Sequence, residues 1–230
     1  MAMQTIMQAS KRPDTYHPHE QTDQPEILRM AGRTITVRRG REIYCEGSSA
    51  DYFYRVITGA VRICKVMING RRQITEFVVA NDMFGFDGKR EHLLSAEAIT
   101  DVTLVRFPRR SVEELARHKS EIAEMMHAIT LRRLTAAQMQ MVLLGRKTAQ
   151  ERVASFLLDF AARTTVDKPA YVLDLPMSRY DVADHLGLTV ETVSRALTAM
   201  RQAGLIAMDA AQHIRILDRE RLSQTAELVQ

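Results

Sequence analysis

Cysteine is scarce in this chain of 230 residues: Cys45 and Cys64 are the only two. Their number and separation fit neither a metal-ligand set nor a disulfide scaffold, so both are expected as small buried side chains. Long apolar runs are missing as well. No stretch approaches the ~20 residues that a membrane-spanning helix needs, and the polar opening "MAMQTIMQASKRPDTYHPHEQTDQP" lacks the apolar centre of a secretion signal. These absences predict a cytoplasmic protein with no membrane partner. No nucleophile, general base or metal constellation stands out either, which argues against an enzyme and against a bound cofactor.

The remaining composition allows a sizeable core. At 46% hydrophobic residues the chain is ordinary for a globular protein, and its length permits two small domains. A net charge of +4 is compatible with a nucleic-acid partner without establishing one. Residues 1–25 mix Gln, Pro, His, Asp and Thr without apolar periodicity and read as a mobile N-terminal tail. His17 and His19 in that tail have no further ligands nearby, so they read as solvated rather than metal-binding.

From Thr34 to Phe107 short β-branched and aromatic runs alternate with turn residues: "TITVRRG", "DYFYRVITG", "AVRICKVMING", "RQITEFVV" and "AITDVTLVRF". This rhythm predicts a β jelly roll over residues 26–110. Asn69-Gly70 is its strongest hairpin signal, because both residues tolerate positive φ. A long helix is expected from about Ser111 to Leu144, within a helical region spanning 111–145. Its apolar residues recur at intervals of three and four: Ile122, Met125 and Ile129, then Leu134, Ala137, Met141 and Leu144. One face suits the β domain. The second, formed by Leu134, Ala137, Met141 and Leu144, suits a dimer seam with a second copy.

Residues 146–230 form the last unit. A helix carrying Val153, Phe156, Leu157 and Phe160 on one side is followed by the turn-rich "TTVDKPAYVLDLP". Ser178 and Asp181 make an S-x-x-D helix start, Gly187 ends that helix, and Thr189 caps a second one that stops at Gly204. Two helices joined by a turn of about three residues, with Ala183, Gly187 and Val193 where they must touch, describe a helix-turn-helix. "GLIAMDAAQHIRILD" then reads as two short strands around Asp209 to Gln212, the wing of a winged helix.

Glu191, Ser194 and Arg195 share one face of the second helix at i, i+3 and i+4. In a DNA major groove, Arg195 can donate twice to guanine and Glu191 can accept from cytosine. An intrahelical pair between Glu191 and Arg195 accounts for the same spacing at only ~0.2–0.5 kcal/mol and is compatible with readout. Helix starts favour phosphate, so Ser178, Arg179, Thr189, Val190 and Thr192 are candidate phosphate or positioning contacts.

In this order of parts the chain resembles the Crp/Fnr family of bacterial transcription regulators from about residue 28 onward. The likeness is carried by Gly40, "EG" at 46–47, "DYFYRVITG" at 51–59, "NG" at 69–70 and "NDMFG" at 81–85, and more specifically by "LPMSRYDVADHLGLTVETVSRAL". The last of these looks like the FixK branch. The resemblance implies an α+β architecture: an N-terminal β jelly-roll domain of the cyclic-nucleotide-binding kind, a long dimerisation helix and a C-terminal winged helix-turn-helix. It also implies a homodimer on double-stranded DNA, with Glu191, Ser194 and Arg195 reading TTG…CAA type inverted repeats. RNA polymerase would be recruited to genes of micro-oxic respiration and nitrogen fixation or denitrification.

Three departures from the family qualify this. Members that bind cyclic AMP carry G-E-L and a later Arg-Ser, where this chain has "GFD" at 85–87 and "LS" at 94–95. The cysteine group that holds an iron–sulfur cluster in the Fnr branch is absent from residues 1–30. A regulator gated by some other small effector in the jelly roll is the alternative. Where FixK-like sequences often read "LPMC", this chain reads "LPMS", which makes Ser178 a redox-control position occupied by a residue without thiolate chemistry.

Overall fold

The computed structural model describes residues 32–86, 90–164 and 172–227. The expected tail, His17 and His19 among it, and Asp87 lie outside the described residues. The first part holds eight strands: β1 (Arg33–Val37), β2 (Glu42–Tyr44), β3 (Tyr52–Thr58), β4 (Val61–Val66), β5 (Arg72–Val78), β6 (Met83–Phe84), β7 (Ser95–Ala98) and β8 (Val102–Pro108). They build two four-stranded antiparallel sheets, ordered β1-β8-β3-β6 and β2-β7-β4-β5, which is the jelly roll that the β-rich rhythm predicts. Side-chain alternation sets the inner face: Val102 and Leu104 of β8 are buried while Thr103 and Val105 are not.

Aromatic rings fill the space between the sheets. Tyr54 and Phe84 stack at 5.1 Å, Tyr44 lies 5.7 Å from Tyr54, and the His92 ring stacks on Tyr44 at 3.5 Å. Burying a side chain of the Phe class contributes roughly 1.5–3 kcal/mol relative to leaving it exposed. The β4–β5 hairpin differs in detail from expectation. Its turn spans Met67 to Gly70, the Gly70 N–H donates to the Met67 carbonyl at 2.9 Å, and of the Asn-Gly pair only Gly70 takes a positive φ, 79°. The Asn69 side chain instead accepts the Arg71 N–H.

One cysteine also departs from expectation. Cys64 is buried but Cys45 is exposed, because Tyr44 takes the inward position at the end of β2 and its neighbour faces out. The Cys45 thiol donates to Glu42 Oε2 at 3.0 Å, and that bond, followed by burial and the Glu42 charge, pushes its pKa up.

The single helix expected from Ser111 is two: α1 (Arg109–His118) and α2 (Ser120–Arg146), separated by Lys119 in extended conformation. No proline or glycine marks this break. Val112 of α1 and Ile122 of α2 are both buried in one cluster with Phe53 and Phe107, so packing turns the chain where local propensity would let it run on.

The last part contains α3 (Ala149–Thr164), β9 (Val172–Asp174), α4 (Arg179–Leu186), α5 (Val190–Gln202), β10 (Ile206–Met208), β11 (His213–Ile216) and α6 (Arg219–Glu227). β10 and β11 flank the Asp209–Gln212 turn as a wing should. β9, in the segment read as turn-rich, joins them in a three-stranded antiparallel sheet. The inward side of α3 is as expected, with Val153, Phe156, Leu157 and Phe160 all buried. This core is continuous with the outer face of the jelly roll, where Ile74 and Phe77 of β5 pack against it.

Candidate nucleic-acid interface

The two helices α4 and α5 are placed by their own end signals. Ser178 caps α4 in a reciprocal box: its hydroxyl accepts the Asp181 N–H at 3.2 Å, and Asp181 Oδ2 accepts the Ser178 N–H at 3.0 Å. Gly187 closes the helix in the left-handed region at φ 62°, and the Leu188 N–H returns to the Ala183 carbonyl. Two residues later Thr189 caps α5 by accepting the Thr192 N–H at 3.2 Å. Val193, Ala196, Leu197 and Met200 are buried along the inner side of α5.

That inward stripe leaves Glu191 and Arg195 exposed and Ser194 half-buried on the outer face. The Glu191 carboxylate is held below its usual range, first by its own backbone N–H and then by the Thr189 hydroxyl. The helix start thus keeps a negative acceptor ready in solvent. Arg195 donates to Thr192 Oγ1 at 3.3 Å. Thr192, not Glu191, is therefore its hydrogen-bonding neighbour within the helix. The Arg179 guanidinium reaches across from α4 and donates to Ser194 Oγ at 3.1 Å, so Arg179 joins the predicted trio instead of standing apart at the first helix start. Val190 is half-buried against the core, and Ser178 and Thr189 are exposed at their two helix starts. Tyr180, which sequence reasoning did not single out, is 70% exposed beside them.

Of the expected seam on α2, three residues face solvent and the fourth, at the end of the helix, is half-buried. Leu134 and Met141 are 54% and 67% exposed, and Ala137 is exposed too. Leu144 is only half-buried and turns towards α4, with its Cδ2 3.5 Å from where a Cβ on Gly187 would stand. Leu131 and Val142, both exposed, extend the solvent-facing apolar strip in its place.

Contacts with distant parts of the chain hold both ends of α4. Arg62 of β4 and Arg72 of β5 each donate to Asp181 Oδ1 at 2.8 Å; Arg72 also reaches Asp184 at 2.9 Å, and Arg62 reaches Glu97. Asp181 is 4% exposed, and removing the partners of a carboxylate so buried costs about 3–5 kcal/mol. At the other end the His185 carbonyl accepts from Gln73 of β5 and Gln140 of α2, and the Leu186 carbonyl accepts from Arg152 of α3. Arg152 also donates to the Leu144 and Lys147 carbonyls, where α2 ends. The His185 ring lies 5.1 Å from Phe77 and 5.8 Å from Phe156, with Nδ1 3.0 Å from the Ile74 carbonyl. Burial pushes its pKa down to about 4.

No group of three or more His, Cys, Asp or Glu side chains suited to a metal ion occurs among the described residues, and no described helix is long and apolar enough to cross a membrane. The pattern of a Crp-like helix-turn-helix domain matches residues 151–225, and that of a cyclic nucleotide-binding domain matches residues 34–119. The nitrogen fixation regulation protein FixK of Azorhizobium caulinodans is 40% identical over 199 residues, covering 86% of this chain and 80% of that protein. The transcriptional activator protein FnrL of Cereibacter sphaeroides is 34% identical over 192 residues, covering 81% and 77%. Among solved structures, FixK2 from Bradyrhizobium japonicum superposes with a TM-score of 0.82 at 41% identity, covering 86% of this chain and 99% of that one.

Proposed function

The chain belongs to the Crp/Fnr family of transcription regulators, in its FixK-like branch, and on that premise we propose that this DNA-binding activator works as a homodimer on TTG…CAA type inverted repeats. The observation that carries the reading is the outer face of α5. Glu191, Ser194 and Arg195 stand together there on a helix whose other side is fully packed. Arg195 would donate to guanine O6 and N7, Glu191 would accept from the neighbouring cytosine N4, and Ser194, oriented by Arg179, would complete the edge contact. Backbone N–H groups and hydroxyls at the two helix starts, with Ser178, Arg179, Thr189, Val190 and Thr192, would hold the flanking phosphates.

The exposed strip of α2 supports pairing with a second copy, and a twofold pair suits half-sites about 34–36 Å apart. Bound in this way, the dimer would recruit RNA polymerase. Relatives named for nitrogen fixation support target genes of micro-oxic respiration and nitrogen fixation or denitrification. The lack of an arginine at 94–95, where members that bind cyclic AMP carry Arg-Ser, supports activity without that effector. Gel shifts of the purified protein on such a repeat, with no added ligand, should show a specific complex. Binding that requires a small molecule would replace this reading with a ligand-gated one.

A further inference from the structure

We infer that Arg62 and Arg72, on the β4–β5 hairpin, are positioning residues for DNA recognition: they fix the angle at which the α4–α5 unit is presented. The inference rests on the reading of the chain as a dimeric reader of inverted repeats.

The surface between β5 and the last unit is apolar at its centre, formed by Ile74 and Phe77 against Phe156 and the His185 ring. At its α3 end Arg163 donates to Asp82 and the Phe77 carbonyl, which holds α3 but does not touch α4. Apolar contact is non-directional and by itself sets no register. Charge-assisted hydrogen bonds are short and directional, and an arginine fork fixes two acceptors at once. Two such forks converge on one carboxylate: Arg62 and Arg72 both meet Asp181 Oδ1 at 2.8 Å, each with a second carboxylate, Glu97 or Asp184, on its free side. Asp181 is also the residue that closes the Ser178 cap, so the point where β4 and β5 hold α4 is its first turn, while Gln73, Gln140 and Arg152 hold its last carbonyls. A helix of eight residues fastened at both ends has no freedom to slide over the apolar surface. The main packing of α5 is against α3, α4 and β10, which leaves its outer face uncovered by the β domain. The docked arrangement therefore orients the reader without blocking it.

In a twofold dimer this orientation determines which half-site spacing both readers can meet together. Adding one base pair at the centre of the repeat rotates one half-site by about 34° and moves it about 3.4 Å relative to the other. A clamped pair cannot follow that change. A pair released from the clamp can, at the cost of ordering itself on every site.

The test uses full-length protein and repeats lengthened or shortened by one base pair at the centre, with fluorescence anisotropy as the readout. Wild type should lose about tenfold or more in affinity per base pair of misspacing, whereas Arg62→Met with Arg72→Met should lose less than about threefold, starting from weaker binding at the native spacing. Guanine preference within the half-site should be unchanged in the double variant, a pattern that simple loss of folded protein does not produce. Arg72→Lys, which keeps charge without the fork, should fall between. If the double variant does not fold, Asp184→Asn, which removes one outer carboxylate and leaves the helix cap intact, should show the same relaxation at smaller size. An unchanged spacing profile in the folded variants overturns the inference. Wild-type protein that does not distinguish the repeat from scrambled DNA overturns the reader itself, and the two failures are thereby told apart.

Discussion

At the scale of single residues, the face of α5 was legible because helical periodicity alone separates Glu191, Ser194 and Arg195 from the buried Val193, Ala196 and Leu197. The partner of Arg179 was not, since its bond to Ser194 depends on how two helices cross. Arg195→Ala should lose ~1–3 kcal/mol of discrimination at the half-site guanine, measured by competition between the repeat and a guanine-substituted duplex. Arg179→Ala is expected to weaken all sequences and flatten the salt slope, with an added loss of selectivity from the released Ser194. Ser178 differs from the sequence-based picture in its surroundings. Its hydroxyl donates to Asp181 Oδ2 at 2.7 Å, and Arg179 turns away to Ser194. A thiol there would stand exposed at a helix N-terminus, which favours its ionisation. The Asp181 carboxylate opposes it, as Glu42 does at Cys45, and Arg62 and Arg72 offset that charge. Ser178→Cys should therefore lose DNA affinity after peroxide treatment while the unsubstituted chain keeps it. Equal loss in both would shift attention to the exposed Cys45 or to methionine.

Among the elements, those with strong local pattern were read correctly and those made by packing were not. β3, β4, β5 and β8 carry β-branched and aromatic runs, whereas β2, β6 and β7 are two to four residues long and are strands only because a neighbour pairs with them. The same holds for Lys119, where buried Val112 and Ile122 impose a break that no residue type announces. On α2 the three-and-four spacing identified the buried side through Ile122, Met125 and Ile129, while of the second set Leu144, at the end of the helix, is half-buried towards α4. Leu134 and Met141 remain solvent-facing, so replacing both with Asp should leave the monomer folded while putting four charges into a twofold seam. Light scattering should then report monomer, and affinity for the full repeat should fall. A dimer that persists would move the seam to another surface.

Over the whole molecule, the sheet-to-helix interface was the part least visible in sequence, because Arg62, Arg72, Gln73 and His185 come together only when residues more than one hundred positions apart meet. His185 adds a pH dependence to that interface. Its pKa is near 6.5 in the unfolded chain and is lowered to about 4 in the folded one, chiefly by burial. Its contribution is intact above pH 6.5. Between there and pH 4 the unfolded chain takes up a proton that the folded chain refuses, so stability declines by up to about 3 kcal/mol. Urea midpoints at pH 7 and pH 5 should differ less for His185→Gln than for wild type; an equal difference removes His185 as a cause. The central claim, a twofold reader acting through α5, is tested most directly by an anisotropy scan of every single-base substitution across one inverted repeat with no ligand present. The expected profile is symmetric about the centre, with the largest losses, ~1–3 kcal/mol each, at the guanine of TTG and its mate in CAA. A flat or one-sided profile would contradict it.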